Sequence, residues 1–224
     1  MNSSQQIKIL LVDDHAIVRE GYKALLEKQS NMEIVAEATS GEEAYSLYKE
    51  HGPNLVIMDL SLPGQGGLAT ISQIRKYRSD AKILVFSMHQ NPALALKTTQ
   101  AGARGYVTKS SLPDILIRAI YDVHKGGIAL SPDIAQTLAM EQLGGESAAL
   151  AELTVREFEI LRMLVEARST NIIAETLNIS PKTVSNCHYL IKRKLGVAND
   201  IELTHLAIKM NVINLLDLSG KHNI

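Results

Sequence analysis

The sequence predicts two domains of different class. An α/β part comes first, a doubly wound sheet of five parallel strands over residues 1–125. A linker with one helix follows over residues 126–152, and an all-α part of four helices occupies residues 153–224. Three observations predict this. In the first part short β-branched runs alternate with longer helical patterns, as crossover helices between parallel strands require. Three strand candidates end in charged residues: Asp13 and Asp14 after Ile7–Val12, Asp59 after Leu55–Met58, and Lys109 after Gly105–Thr108. After residue 153 the periodicity is helical only, and one stretch of it is basic.

Taken in order, the strands are Ile7–Val12, Met32–Ala38, Leu55–Met58, Lys82–Ser87 and Gly105–Thr108. The first and third are nearly continuous in apolar residues, as strands covered on both faces should be. Ser40-x-x-Glu43 is a capping box that opens one intervening helix. Ser111-x-x-Asp114, with Pro113 in the first turn, reads as a similar start. Gly126-Gly127 closes the last helix of this part. Pro132–Leu143 is a further helix, and Gly144–Ala151 is small enough in side chain to serve as linker. Thr154-x-x-Glu157 then opens Val155–Ala167, and a short helix follows over Asn171–Leu177. Ser180 caps and Pro181 begins a helix that runs to about Leu195, and Asn199-x-x-Glu202 caps a last helix over Asp200–Met210.

Composition narrows the class. The chain has 224 residues, 46% hydrophobic and 21% charged, the proportions of an ordinary globular protein. Two Phe, seven Tyr and no Trp make the cores aliphatic and argue against a stacking platform for single-stranded nucleic acid. The lone Cys187 excludes an internal disulfide and suits a reducing, cytoplasmic location. The polar start lacks the layout of a signal peptide, and no apolar run approaches the ~18 residues of a membrane span. A net charge of −1 hides a basic window: Thr176 to Asn199 holds Lys182, Lys192, Arg193 and Lys194 and no acid. A phosphate backbone responds to such a local face rather than to total charge.

In an open parallel sheet the carboxyl ends of the strands share one edge, and ligands bind there. Asp59 at that edge can attack a phosphoryl group and form an acyl phosphate. Such chemistry calls for a hard cation with oxygen ligands, and Mg²⁺ takes one or two carboxylates beside phosphate oxygens and waters. Asp14 is the direct carboxylate ligand beside Asp59, Asp13 acts through a water, and the backbone carbonyl of Ser61 completes the protein's share. Lys109 brings a point positive charge to the phosphoryl oxygens, and Ser87 offers a hydroxyl. Singly, each has a plainer reading: a solvated Asp pair, a surface lysine, a strand-end hydroxyl. Their joint placement at the ends of four strands favours one site. His15 reads as a helix-start residue and stays outside it.

Along Pro181–Leu195, Val184, Cys187, Ile191 and Leu195 recur at helical spacing and face the core. Lys182, Ser185, Asn186, Tyr189 and Arg193 fall on the opposite side. In a helix-turn-helix the second helix enters the major groove and its N-terminal part meets base edges. Asn186 can bond adenine in bidentate fashion and Ser185 can bond almost any base. Lys182, Thr183, Lys192 and Lys194 are placed for phosphates, which set register without reading sequence. Tyr189 suits either role, and His188 sits at the edge of this face. The plainer alternative is a helical bundle with a solvated charged face.

Leu11-Val-Asp-Asp-His15, Ile57-Met-Asp-Leu-Ser-Leu-Pro-Gly64 and Ala101-Gly-Ala-Arg-Gly-Tyr-Val-Thr-Lys109 resemble response-regulator receiver domains. Leu153–Leu161, Ser180-Pro-Lys-Thr-Val184 and Arg193-Lys-Leu-Gly196 resemble the LuxR-type helix-turn-helix. Together they resemble the NarL/FixJ class of two-component response regulators over nearly the whole chain. Gly64–Leu68 and Asp200–Ile208 lean toward its GacA/UvrY-like subgroup. The resemblance implies a flavodoxin-like receiver whose Asp59 takes a phosphoryl group from a sensor histidine kinase in a Mg²⁺-dependent step. It implies that Ser87 moves toward that group and that Tyr106 reorients behind it. It further implies a homodimer when phosphorylated, binding paired half-sites on double-stranded DNA, with RNA polymerase a candidate further partner and no membrane. Three departures stand out: Ser110 after Lys109 where many receivers have Pro, Cys187 where the family usually has His, and Ala167–Ala174 in place of the common Gly and Ser-Asn-Lys-Glu.

Two other readings stay open on the residues. A phosphatase of the haloacid-dehalogenase type would also use Asp59 as nucleophile, but needs a general acid two residues on, where this chain has Ser61. A DNA-binding protein whose receiver is only an interaction platform would carry the same heads without the switch.

Overall fold

The computed structural model describes residues 6–64, 66–144, 150, 152–210 and 212. It divides into two compact units, residues 1–90 with 98–137 and residues 91–97 with 138–224.

The first unit carries the sheet. Its strands are β1 (Ile7–Val12), β2 (Met32–Ala38), β3 (Leu55–Met58), β4 (Ile83–Ser87), β5 (Gly105–Thr108) and β6 (Ala129–Leu130). The sheet has six strands in the order β2-β1-β3-β4-β5-β6, every pair parallel. Five strands were expected from the sequence, so this is a correction. Ala129 and Leu130 pair with Gly105 and Tyr106, and the stretch assigned to the linker therefore begins as sheet. Two residues are too few to display a period, which explains why the pattern misses them. Helices α1 (Ala16–Leu26), α2 (Gly41–His51), α3 (Gly66–Tyr77), α4 (Pro92–Ala101) and α5 (Pro113–His124) alternate with the strands.

β1, β3 and β4 are buried along almost their whole length, because helices cover both faces. One face of the sheet brings Ile9, Leu11, Ile57, Leu84, Phe86 and Val107 against Leu116, Ile120 and Val123 of α5. Each such apolar side chain contributes about 1.5–3 kcal/mol by leaving water. The connections reverse direction between β1, whose chain goes out to β2, and β3, which leads on to β4. That reversal is a topological switch point, and the acids at the ends of β1 and β3 lie on either side of it.

The capping residues named from the sequence hold with one exception. Ser40 Oγ accepts from Glu43 N at 3.2 Å, while the Glu43 carboxylate reaches back to Thr39 N at 2.7 Å. Before α5, by contrast, the N-cap is Leu112, which makes no side-chain cap bond. The expected cap, Ser111, instead turns its hydroxyl to Thr108 Oγ1 at 2.9 Å. α6 runs over Pro132–Gly144, with Asp133 in its first turn. Of the linker proposed at Gly144–Ala151, residues 145–149 and 151 lie outside the described residues.

The helices of the second unit are α7 (Val155–Val165), α8 (Thr170–Leu177), α9 (Pro181–Leu195) and α10 (Asp200–Lys209). Thr154 and Glu157 form the expected box: Glu157 N donates to Thr154 Oγ1 at 3.2 Å and Thr154 N to Glu157 Oε2 at 2.7 Å. Ser180 Oγ caps α9 by accepting from Thr183 N at 3.1 Å, and Gly196 closes it with a left-handed φ of 67°. α7 stops two residues earlier than its periodicity predicts, because Ala167 adopts φ 58°. Phe158, Leu161, Ile173, Leu177, Val184, Ile191 and Leu203 are each buried and supply this unit's apolar interior.

Candidate functional site

Asp13, Asp14, His15 and Asp59 come together at the switch point, with one potential ligand atom from each lying within 4.8 Å of the others. The backbone fixes this meeting: Asp59 N donates to Val12 O at 2.9 Å and thereby brings the end of β3 beside the end of β1. Asp13 and Asp59 are each only 3% exposed, whereas Asp14 is open to solvent. Lys109 reaches in from β5 and donates to Asp13 Oδ2 at 2.6 Å and to Asp59 Oδ2 at 2.8 Å. Burial on its own would lower the Lys109 pKa, but the charge of Asp59 and the bonds to both carboxylates outweigh it and hold it above the usual lysine value.

The remaining oxygens are also occupied. Asp13 Oδ1 accepts from His15 N at 2.9 Å, and Asp59 Oδ1 accepts from Leu60 N at 2.6 Å and Ser61 N at 3.3 Å. His15, left out of the site by the sequence reading, brings Nδ1 to 2.9 Å from Asp14 Oδ1. Gly67 is required here for space, because a Cβ on it would lie 2.1 Å from Asp59 O and 2.7 Å from Leu60 Cα.

Ser87 and Tyr106, both 0% exposed, are joined through His89. His89 N donates to Ser87 Oγ at 3.3 Å, and Tyr106 Oη donates to His89 O at 2.8 Å. The His89 ring reaches back toward the acids, with Nε2 3.1 Å from Ser61 Oγ. The sequence reading missed His89. Its position two residues after Ser87, on the same strand-end loop, was the available signal.

In the second unit the outer side of α9 presents Lys182, Ser185, Asn186, Tyr189 and Arg193 to solvent, the set that the spacing selects. Val184 and Ile191 are buried on the opposite side, while Cys187 and Leu195 are half-buried. Thr183 Oγ1 lies 2.8 Å from Ser180 Oγ, and Ser185 Oγ donates to Pro181 O at 3.1 Å. Lys192 and Lys194 have carboxylate partners in their own unit. Lys192 Nζ lies 2.9 Å from Asp200 Oδ1, which also has His188 Nε2 at 2.8 Å. Lys194 Nζ donates to Glu157 Oε2 at 2.6 Å and to Glu152 O at 3.2 Å. Burial alone would raise the Glu157 pKa, but Lys194 and the Thr154 amide outweigh it and hold the carboxyl below its usual value.

A buried acid flanked by two more acids and a lysine, on one sheet edge, together with a separate helix-turn-helix, defines a class. Residues 9–121 match the response regulator receiver domain and residues 151–207 match the bacterial regulatory proteins of the luxR family. Response regulator UvrY of Escherichia coli K12 is 38% identical over 96% of this chain and 100% of its own length. Response regulator GacA of Pseudomonas aeruginosa is 33% identical over 93% of this chain and 98% of its own. Among solved structures, RcsB of Salmonella enterica serovar Typhimurium, bound to promoter rprA in the presence of phosphomimetic BeF3⁻, superimposes with a TM-score of 0.74. That chain is 28% identical, and the match covers 90% of this chain and 98% of RcsB.

The chain belongs to the NarL/FixJ class of two-component response regulators, with a receiver domain and a LuxR-type DNA-binding domain. It is a transcription regulator rather than an enzyme. Receiver domains bind Mg²⁺ at an acidic pocket, and Asp13, Asp14 and Asp59 form an acidic pocket here. The donor set suits that ion: three carboxylates supply hard oxygen ligands, and the cysteine lies in the other unit. No helix among the described residues is long and apolar enough to cross a membrane.

Proposed function

We propose that Asp59 accepts a phosphoryl group from a sensor histidine kinase and that this controls paired binding of the DNA heads. The observation that supports it most directly is the buried Asp59 carboxylate with Lys109 Nζ at 2.8 Å and Asp13 and Asp14 beside it. An Asp59 oxygen attacks phosphorus, the phosphorus–nitrogen bond of a phosphohistidine breaks, and the released imidazole takes up a proton. An acyl phosphate results. Lys109 follows the new negative charge and bonds a phosphoryl oxygen, which loosens its hold on Asp13.

Asp14 and Asp59 are the carboxylates that would hold Mg²⁺, with the Ser61 carbonyl. Asp13 would act through a water. When bound, the ion neutralises charge on the transferring phosphoryl group. Ser87 turns its hydroxyl toward the phosphoryl, and His89 and Tyr106 carry that movement away from the pocket. On α9, Ser185, Asn186 and Tyr189 read bases, while Lys182, Thr183 and Arg193 contact phosphates. Lys192 and Lys194 reach phosphate only by sharing or leaving Asp200 and Glu157. A homodimer of phosphorylated chains on paired half-sites, working in the cytoplasm with RNA polymerase, completes the reading.

The test is selection of genomic DNA fragments by the full-length protein, with and without Mg²⁺ and beryllofluoride, and with Asp59→Ala as control. Paired sites enriched only with the mimic, and lost in the variant, are expected. Equal enrichment throughout would leave a DNA-binding protein without this switch.

A further inference from the structure

The end of β5 is tied to the start of α6 by a closed set of hydrogen bonds. Ser131 N donates to Tyr106 O at 2.9 Å, and Thr108 N donates to Ser131 Oγ at 3.4 Å. Thr108 Oγ1 donates to Asp133 Oδ2 at 2.9 Å. Around the same hydroxyl, Ser110 Oγ donates at 3.2 Å and Ser111 Oγ lies at 2.9 Å. A threonine hydroxyl has one proton and two lone pairs. With its proton on Asp133 and both serines donating to it, every capacity is used. Thr108 and Ser131 are both 0% exposed, so water does not replace a lost partner cheaply.

Asp133 is the acidic residue of the first turn of α6, where a negative charge complements the helix dipole. Burial alone would raise its pKa, but bonds from Ser131, Thr108 and the Ile134 amide outweigh it and hold the carboxyl below its usual value. The bond from Thr108 is thus charge-assisted, among the stronger kinds. Thr108 directly precedes Lys109 and lies two residues after Tyr106. α6 begins in the first unit and continues into the second, which contains the DNA-binding helices.

We infer that the Thr108–Asp133 bond is the joint through which the phosphoacceptor pocket governs the linker helix α6. This rests on the reading that Asp59 accepts a phosphoryl group. The direction follows from Lys109. The joint holds the backbone of residues 108 and 109 where Lys109 bonds Asp13 and Asp59. A phosphoryl group draws Lys109 away from Asp13 and so opposes the joint. Coupling is reciprocal: occupying the pocket loosens the first turn of α6, and cutting the joint eases occupation of the pocket.

The test titrates beryllofluoride in Mg²⁺ into the full-length wild type, Thr108→Val, Thr108→Ser, Asp133→Asn and the Thr108→Val/Asp133→Asn double variant, each checked for a folded thermal transition. Calorimetry reads the affinity, and hydrogen exchange followed by mass spectrometry reads the amides of residues 131–137. We expect Thr108→Val and Asp133→Asn each to tighten the mimic about fivefold, the double variant to gain no more than either, and Thr108→Ser to behave as wild type. Beryllofluoride should speed exchange at residues 131–137 in the wild type. Unchanged or weaker affinity in the two single variants, additive effects in the double, or exchange indifferent to the mimic would each overturn the joint. A wild type that fails to take up beryllofluoride would overturn the phosphoacceptor reading, and the joint with it.

Discussion

Replacing Lys109 by methionine removes the cation shared by two buried carboxylates. Lys109 Nζ lies 2.6 Å from Asp13 Oδ2 and 2.8 Å from Asp59 Oδ2, and all three side chains are 5% exposed or less. At an effective dielectric of about 20, each contact carries roughly 6 kcal/mol of Coulomb attraction. The cost of taking the ammonium out of water offsets much of that. Removing one partner of such a buried set costs about 3–5 kcal/mol, because the acids are left unpaired. In a unit of receiver size, 1 kcal/mol moves the midpoint by about 4 °C. The first thermal transition of full-length Lys109→Met, followed by calorimetry at pH 7 with chelator, should therefore fall by about 12–20 °C. Mg²⁺ should return more stability to the variant than to the wild type, since it supplies positive charge to the same acids. A fall of less than about 5 °C with an equal response to Mg²⁺ would refute the claim that these acids depend on Lys109. The pH dependence has a definite sign as well. The folded pKa of Lys109 is raised, so its contribution is complete below the unfolded value and declines as pH rises through the folded one.

Gly67→Ala places a methyl 2.1 Å from Asp59 O; urea unfolding should show a loss of about 1–3 kcal/mol, with beryllofluoride uptake impaired, and a neutral result would mean that α3 yields freely. The Glu157 carboxyl is held below its usual pKa, so its contribution is present above the unfolded value and lost as pH falls through the folded one. Glu157→Gln should accordingly flatten the acid limb of the stability profile of the DNA-binding unit, measured by circular dichroism between pH 6 and pH 3. Arg193→Ala should weaken DNA binding in a mobility-shift assay and leave the melting temperature alone, whereas Lys194→Met should lower the melting temperature and change DNA binding little. Ala167 stands at φ 58°, where an L side chain is strained; Ala167→Gly should stabilise the DNA-binding unit by about 1 kcal/mol in the same urea assay.

Much of the fold was legible because its signals are local. The first, second, third and fifth strands have the bounds that the sequence suggests, and the fourth begins at Ile83 rather than Lys82. Thr154, Ser180 and Asn199 cap their helices as their spacing implies, since a cap is decided within one turn. The gathering of Asp13, Asp14, Asp59 and Lys109 was also legible, because strand ends of a parallel sheet must meet at one edge. What the sequence hides depends on contacts between distant segments. β6 exists only through its pairing with β5. Ser111 looked like a cap, but a buried threonine hydroxyl competed for it. His89 looked like a loop residue until Ser87, Tyr106 and Ser61 converged on it. Lys192 and Lys194 read as phosphate contacts from charge alone, because nothing in the local sequence reveals Asp200 and Glu157 across from them. Ala167 was visible as a departure from a usual glycine, but only its positive φ explains what that glycine is for.

The last turn of α9 carries Lys192, Arg193 and Lys194, yet two of these cations are already bound to carboxylates of their own unit. A cation neutralised in this way displaces few counterions when the head settles on a duplex. With Lys182 and Arg193 as the exposed cations of α9, the helix of one head should contribute a salt slope near −2, and those of two heads near −4, at about −0.9 per phosphate neutralised. So small an ionic contribution leaves a single head with weak residence even at low salt. Tethering a second head at an effective concentration on the order of millimolar then changes occupancy by orders of magnitude. On the proposed pairing of heads, partial self-neutralisation of the recognition helix makes avidity, rather than charge, the quantity that decides whether the operator is filled.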